Sequence, residues 1–182
     1  MTPILGARSE AEAVRRYTDV LQRAISAFGE NAFFVRVGFS VALRAHILVL
    51  AGNAAMTLRD ASGKRRLAPI PELYFRTAQV AGTHRRWTMH TVSYTYRLDD
   101  NGAGGRFLGY HWHPHVPGTP FPHVHLLAAS PDLRRLHIAV PPCTLEHVLT
   151  FAMRDFGVQP VHDDWRAALD EVDAVLRESM GQ

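Results

Sequence analysis

Residues 88–113 read TMHTVSYTYRLDDNGAGGRFLGYHWH, and their pattern decides the class of the fold. Thr88, His90, Val92, Tyr94, Tyr96 and Leu98 form one alternating set, and Met89, Thr91, Ser93, Thr95 and Arg97 form the other. A period of two belongs to an extended strand whose successive side chains leave opposite faces. The run 99–105, DDNGAGG, has the composition of a turn, so residues 106–113 return as the antiparallel partner. This hairpin ends on His111 and His113. A second alternating pair, His123 and His125, follows a connection stiffened by Pro114, Pro117, Pro120 and Pro122. Five of the eleven histidines, His115 included, fall within residues 111–125.

Working outward, Ser9 and Glu12 have capping-box spacing, and Val14, Tyr17, Leu21, Ala24 and Phe28 recur at helical intervals until Gly29. Val35, Val37, Phe39, Val41 and Leu43 then alternate with Arg36, Ser40 and Arg44, which predicts a half-buried strand. Gly52-Asn53 and Ser62-Gly63 are turn dipeptides around a short apolar stretch with Met56 and Leu58, so a meander follows. Pro69 and Pro71 disfavour a central strand, and the segment up to Arg76 reads as an edge or a loop. Downstream, strands are expected over 123–129 and 136–140. Thr144 then starts a helix bearing Leu145, Val148, Leu149, Ala152 and Phe156, stopped by Gly157 and Pro160, and Asp163 starts a last one through Trp165, Leu169, Val172 and Leu176. The expected fold is α+β: one domain over 1–182, with a curved, mainly antiparallel sheet, an N-terminal helix and two C-terminal helices.

A chain of 182 residues can bury roughly 70% of its unfolded surface, so its core needs neither disulfide nor metal. The single cysteine, Cys143, excludes an internal disulfide and has no evident partner for nucleophilic chemistry, so it reads as structural. The first residues lack a charged start followed by an apolar run, and no stretch approaches the roughly 20 apolar residues of a membrane span. A cytoplasmic protein with no membrane partner is expected. Net charge is unevenly spread: residues 59–135 carry +6 and residues 136–182 carry −5, counting Lys and Arg against Asp and Glu. The basic part holds the histidines and would attract an anion such as RNA phosphate.

Three chemistries fit the cluster. His123 and His125 could act as acid and base, with His111 and His113 assisting, Arg97 and Arg106 on phosphate, and Tyr94 and Tyr96 orienting the substrate. That is metal-free RNA cleavage, with no cofactor. Alternatively, His111, His113, His123 and His125 are ligands to a divalent transition metal. In the third reading the histidines are only loop packing in a protein-binding module that presents its acidic last helix and a sheet edge.

The region from Tyr94 to His125 resembles the TumE-type toxins of bacterial type II toxin–antitoxin pairs. The likeness is carried by Tyr94, Tyr96 and Arg97, the 99–105 turn, Arg106 ahead of Leu108-Gly109-Tyr110, the Phe121-Pro122-His123-x-His125 end, and the helix opening TLEHVL at Thr144. It covers about a third of the chain. His111 stands where that family commonly has an Asp, and the N-terminal helix and strand pair are additional. The resemblance implies a small cytosolic toxin, acting on RNA and inhibited by an antitoxin partner encoded in the same operon.

Overall fold

A computed structural model of the chain describes residues 6–29, 32–52, 57–81, 86–100, 105–127 and 131–182. The expected turn residues Asn53 and 101–104, together with Met56, lie outside them. The elements in order are α1 (Glu10–Ser26), β1 (Ala32–Ser40), β2 (Ala45–Gly52), β3 (Leu58–Arg59), β4 (Arg65–Gln79), β5 (Trp87–Asp100), β6 (Gly105–Trp112), β7 (His123–Leu126), α2 (Pro131–Arg134), β8 (Ile138–Ala139), α3 (Leu145–Phe156) and α4 (Trp165–Met180). The fold is α+β, with an open sheet in the order β1-β2-β4-β5-β6-β7-β8 and β3 paired to β4. Every described strand pairing is antiparallel.

Helices form where capping and periodicity agree. Ser9 accepts from the Glu12 amide at 3.2 Å and so caps α1, whose Ala13, Tyr17, Val20, Leu21, Ala24 and Ile25 are buried. Gly157 ends α3 in the left-handed region at φ 64°, which a residue without a Cβ adopts at no steric cost. The cap of α4 is Asp164, one residue beyond the expected Asp163. These helices cover one face of the sheet, where Tyr94, Tyr96, Leu98 and Leu108 join Tyr17, Leu21, Leu149 and Leu176 in a single apolar cluster. A directed chain of hydroxyls crosses this layer: Tyr17 to Thr91 at 2.9 Å, Thr91 to Ser179 at 2.7 Å, and Ser179 to the Leu176 carbonyl at 2.8 Å.

Two expectations are corrected. Pro69 and Pro71 lie inside β4, a central strand between β2 and β5. They share parity, so both missing N–H groups fall on one side of the strand. Pairing with β3 ends at Leu67 and pairing with β2 begins at Glu72, so on that side residues 68–71 have no described ladder partner, and a donor missing there breaks no bond. The apolar set of β1 is not its buried side: Val37 and Phe39 are exposed, as is Val41 in the following turn, while Ala32 and Phe34 face the core. β1 is the sheet's edge and its register shifts between Arg36 and Gly38, so the alternation persists without a layer to cover it.

Candidate metal centre

Cross-strand register assembles the site. Glu72 of β4 lies opposite Thr95 of β5, Thr95 opposite His111 of β6, and His111 opposite His123 of β7, so one row of side chains leaves the face away from the helices. The next row runs Arg97, Gly109, His125. Because β8 pairs antiparallel with β7 (His123 with Ala139, Val124 with Ile138), continuing that register brings His137 alongside His125. Five imidazoles are thereby gathered. Ring centroids are 5.6 Å apart for His111–His123, 4.9 Å for His111–His125, 5.0 Å for His123–His125 and 5.5 Å for His111–His113. His137 stands 4.7 Å from His123 and 4.5 Å from His125.

Hydrogen bonds fix how these rings present their lone pairs. His123 Nδ1 donates to the Phe121 carbonyl at 2.9 Å, and His125 Nδ1 donates to the Arg134 carbonyl at 3.1 Å. Each ring therefore holds its proton on Nδ1 and leaves the Nε2 lone pair for a ligand, the usual support of a metal-binding histidine. Ser93 gives its hydroxyl proton to the Trp112 carbonyl at 2.8 Å, so at 2.7 Å it accepts from His113 Nδ1, which orients that ring too. Gly109 supplies space: a Cβ there would sit 2.6 Å from His111 Nε2 and 3.4 Å from a Leu127 methyl.

His111, His123 and His125 offer ligand nitrogens that all lie within 4.8 Å of one another. An ion at the centre of a triangle that size would be about 2.8 Å from each, so an inward movement of about 0.7 Å per ring reaches the 2.0–2.1 Å of a zinc–imidazole bond. His123 is only 2% exposed, which excludes water from one side of the group. Burial, and then the neighbouring imidazoles of His125, His113, His123 and His137, push the His111 pKa down to about 3. Burial also lowers His113, with His123 adding to the shift and Glu72 opposing it. It lowers His125 as well, against the pull of the Arg134 carbonyl. Neutral imidazole is the form that binds metal.

The other expected residues divide. Arg97 shares the histidine face, with its Nε bound to Asp99 at 2.9 Å, and Arg106 pairs opposite Asp99 farther along the hairpin. Tyr94 and Tyr96 leave the opposite face and are 0% and 1% exposed, so the substrate-orienting role expected of them is corrected: they are core residues, stacked at 4.8 Å. The Tyr94 hydroxyl accepts from the Cys143 amide at 2.8 Å, while the Tyr96 hydroxyl is buried with no hydrogen-bond partner among the described residues. Burial pushes the Cys143 thiol up to about 12, in keeping with a structural cysteine. Two site residues lay beyond the sequence reading. Gly109 separates Leu108 from Tyr110 like any small residue in a strand, and His137 joins the cluster only through the register of a two-residue strand.

A second group, Glu146, His147 and Asp173, also brings ligand atoms within 4.8 Å, between α3 and α4. Its atoms are engaged with other side chains, Glu146 Oε1 accepting from Thr150 Oγ1 at 2.7 Å. Thr144 Oγ1 donates to Asp173 at 2.7 Å, Arg177 Nε donates to the other Asp173 oxygen at 2.7 Å, and His147 meets Thr144 at Nδ1 and Arg177 at Nε2. Among the described residues no helix is long and apolar enough to cross a membrane. Comparison with protein-family models, with curated proteins and with solved structures gave no match, so the reading of the site rests on its geometry.

Proposed function

We propose that the chain is a toxin-type hydrolase that cleaves RNA at a divalent transition-metal centre held by His111, His123 and His125. The observation that carries this reading is the convergence of three ring nitrogens within 4.8 Å, two of the rings being set by Nδ1–H bonds to backbone carbonyls. Three imidazoles leave a coordination position for substrate, as in hydrolytic zinc sites, and the ion supplies Lewis acidity toward a phosphoryl oxygen. Of the chain's own groups, Arg97 stands in the row of His125 to meet phosphate charge, and His113 is held beside His111 by Ser93. The resemblance to TumE-type toxins adds the substrate class and an antitoxin partner. The exposed acidic residues Asp163, Asp164 and Asp170 at the start of α4 offer such a partner a negative surface.

The metal-free reading needs one imidazole protonated near neutrality. Burial, and then the neighbouring imidazoles, work against that at His111. The test is expression of the untagged chain in a bacterial host, with RNA cleavage by purified protein before and after chelation. Growth arrest and cleavage that chelator abolishes, that Zn²⁺, Co²⁺ or Mn²⁺ restores and that His123→Ala lacks are expected. Cleavage that survives chelation but not His123→Ala would transfer the histidines to acid–base work. A wild-type chain that neither cleaves RNA nor slows growth would overturn the enzyme reading.

A further inference from the structure

We propose that His137 is a fourth protein ligand to the ion of this centre, one that must withdraw before a substrate can take its place. The inference rests on the metal reading above and concerns how access to that metal is controlled. His137 reaches the cluster from residues 131–139, a segment exposed throughout its length, whereas His123 beside it is buried. Its ring makes the two shortest centroid approaches in the cluster, 4.5 Å to His125 and 4.7 Å to His123. It does not belong to the trio whose nitrogens already lie within 4.8 Å of one another, so it has to swing inward to ligate.

The segment is also tied to the metal ligands themselves. His125 Nδ1 bonds the Arg134 carbonyl, and β8 is held to β7 by the pairs His123–Ala139 and Val124–Ile138. A four-residue helix and a two-residue strand with no buried side chain constitute its structure. Such a segment opens at a small free-energy cost. Four imidazoles complete a tetrahedron, as in closed structural sites, whereas three leave a position free. The same chain therefore holds its metal closed when His137 is in and open when residues 131–139 lift.

Cobalt tests this, because Co²⁺ replaces zinc with a visible spectrum that reports coordination, and azide is a small probe of an open position. Wild-type protein loaded with Co²⁺ should show little spectral change with azide. His137→Ala should hold Co²⁺ at least about tenfold more weakly and respond to azide at once. His115→Ala, which removes an exposed histidine outside the cluster, should behave as wild type. Equal Co²⁺ affinity and equal azide response in wild type and His137→Ala would overturn the fourth ligand while leaving the trio in place. A His123→Ala protein that binds Co²⁺ as the wild type does would overturn the trio reading itself, and the fourth ligand with it.

Discussion

Two groups in this fold bring three possible metal ligands within the same 4.8 Å, and they differ in what their lone pairs are doing. In the Glu146–His147–Asp173 group the Asp173 carboxylate and both ring nitrogens of His147 are occupied by Thr144 and Arg177, and Glu146 Oε1 by Thr150, so the cluster ties α3 to α4. In the His111–His123–His125 group, the bonds known at His123 and His125 take the Nδ1 proton and leave the acceptor nitrogen. Proximity of ligating residues is thus insufficient to mark a metal site. What matters is whether the hydrogen-bond network spends the acceptor atoms or orients them. An arginine inside a cluster is the simplest sign that they are spent.

The difference breaks most visibly with pH. Folding holds the His111 pKa at about 3, below the ordinary value of 6.5, so the unfolded chain takes up this proton first. Its contribution to the stability of the metal-free protein is therefore complete above pH 6.5 and is lost as pH falls from there toward 3, with a slope of up to ~1.4 kcal/mol per pH unit for one proton. Urea unfolding at pH 7 and at pH 5 measures it. A saturating metal should steepen the loss, because protons and the ion compete for the same nitrogens.

Gly109→Ala separates the groups from the histidine side. A Cβ 2.6 Å from His111 Nε2 must displace the ring, and His123 and His125 leave it little room to move. Metal affinity should fall at least about tenfold, or about 1.4 kcal/mol, with the fold retained by circular dichroism. Unchanged affinity would mean that His111 is not a ligand. Thr144→Ala should give the inverse pattern: about 1 kcal/mol less stability through loss of the bond to Asp173, and unaltered metal binding. The smallest effect is expected beneath the site. Tyr96→Phe removes a buried hydroxyl that has no partner among the described residues, so stability should hold or rise by up to about 1 kcal/mol, with no change at the metal. A marked loss of stability would show that the hydroxyl is bonded after all.

How far the sequence foretold this depends on whether a residue's neighbours are local. The β5–β6 hairpin, α1, α3 and α4 were legible because alternation, a capping Ser9 and a terminal Gly157 are local signals. The convergence of His111 with His123 was legible in outline, since both sets alternate on strands joined by a short connection. The register that makes them direct partners was not, whereas the alternation of Tyr94 and Tyr96 with Val92 and Leu98 already allowed them to pack the hairpin, as their burial shows. Pro69 and Pro71 misled because the tolerance of a central strand for proline depends on where its neighbours stop, which no local pattern contains. For His137 and Gly109, the roles exist only once β6, β7 and β8 lie side by side.

The central claim is that three of the five gathered imidazoles form one metal site, and metal content tests it most directly. Untagged protein incubated with excess Zn²⁺ at neutral pH, freed of unbound ion and analysed for metal should carry one ion per chain. His123→Ala should carry none, and Asp173→Asn should still carry one. A wild-type protein that retains no metal, or an ion that stays in His123→Ala and leaves in Asp173→Asn, would contradict the account.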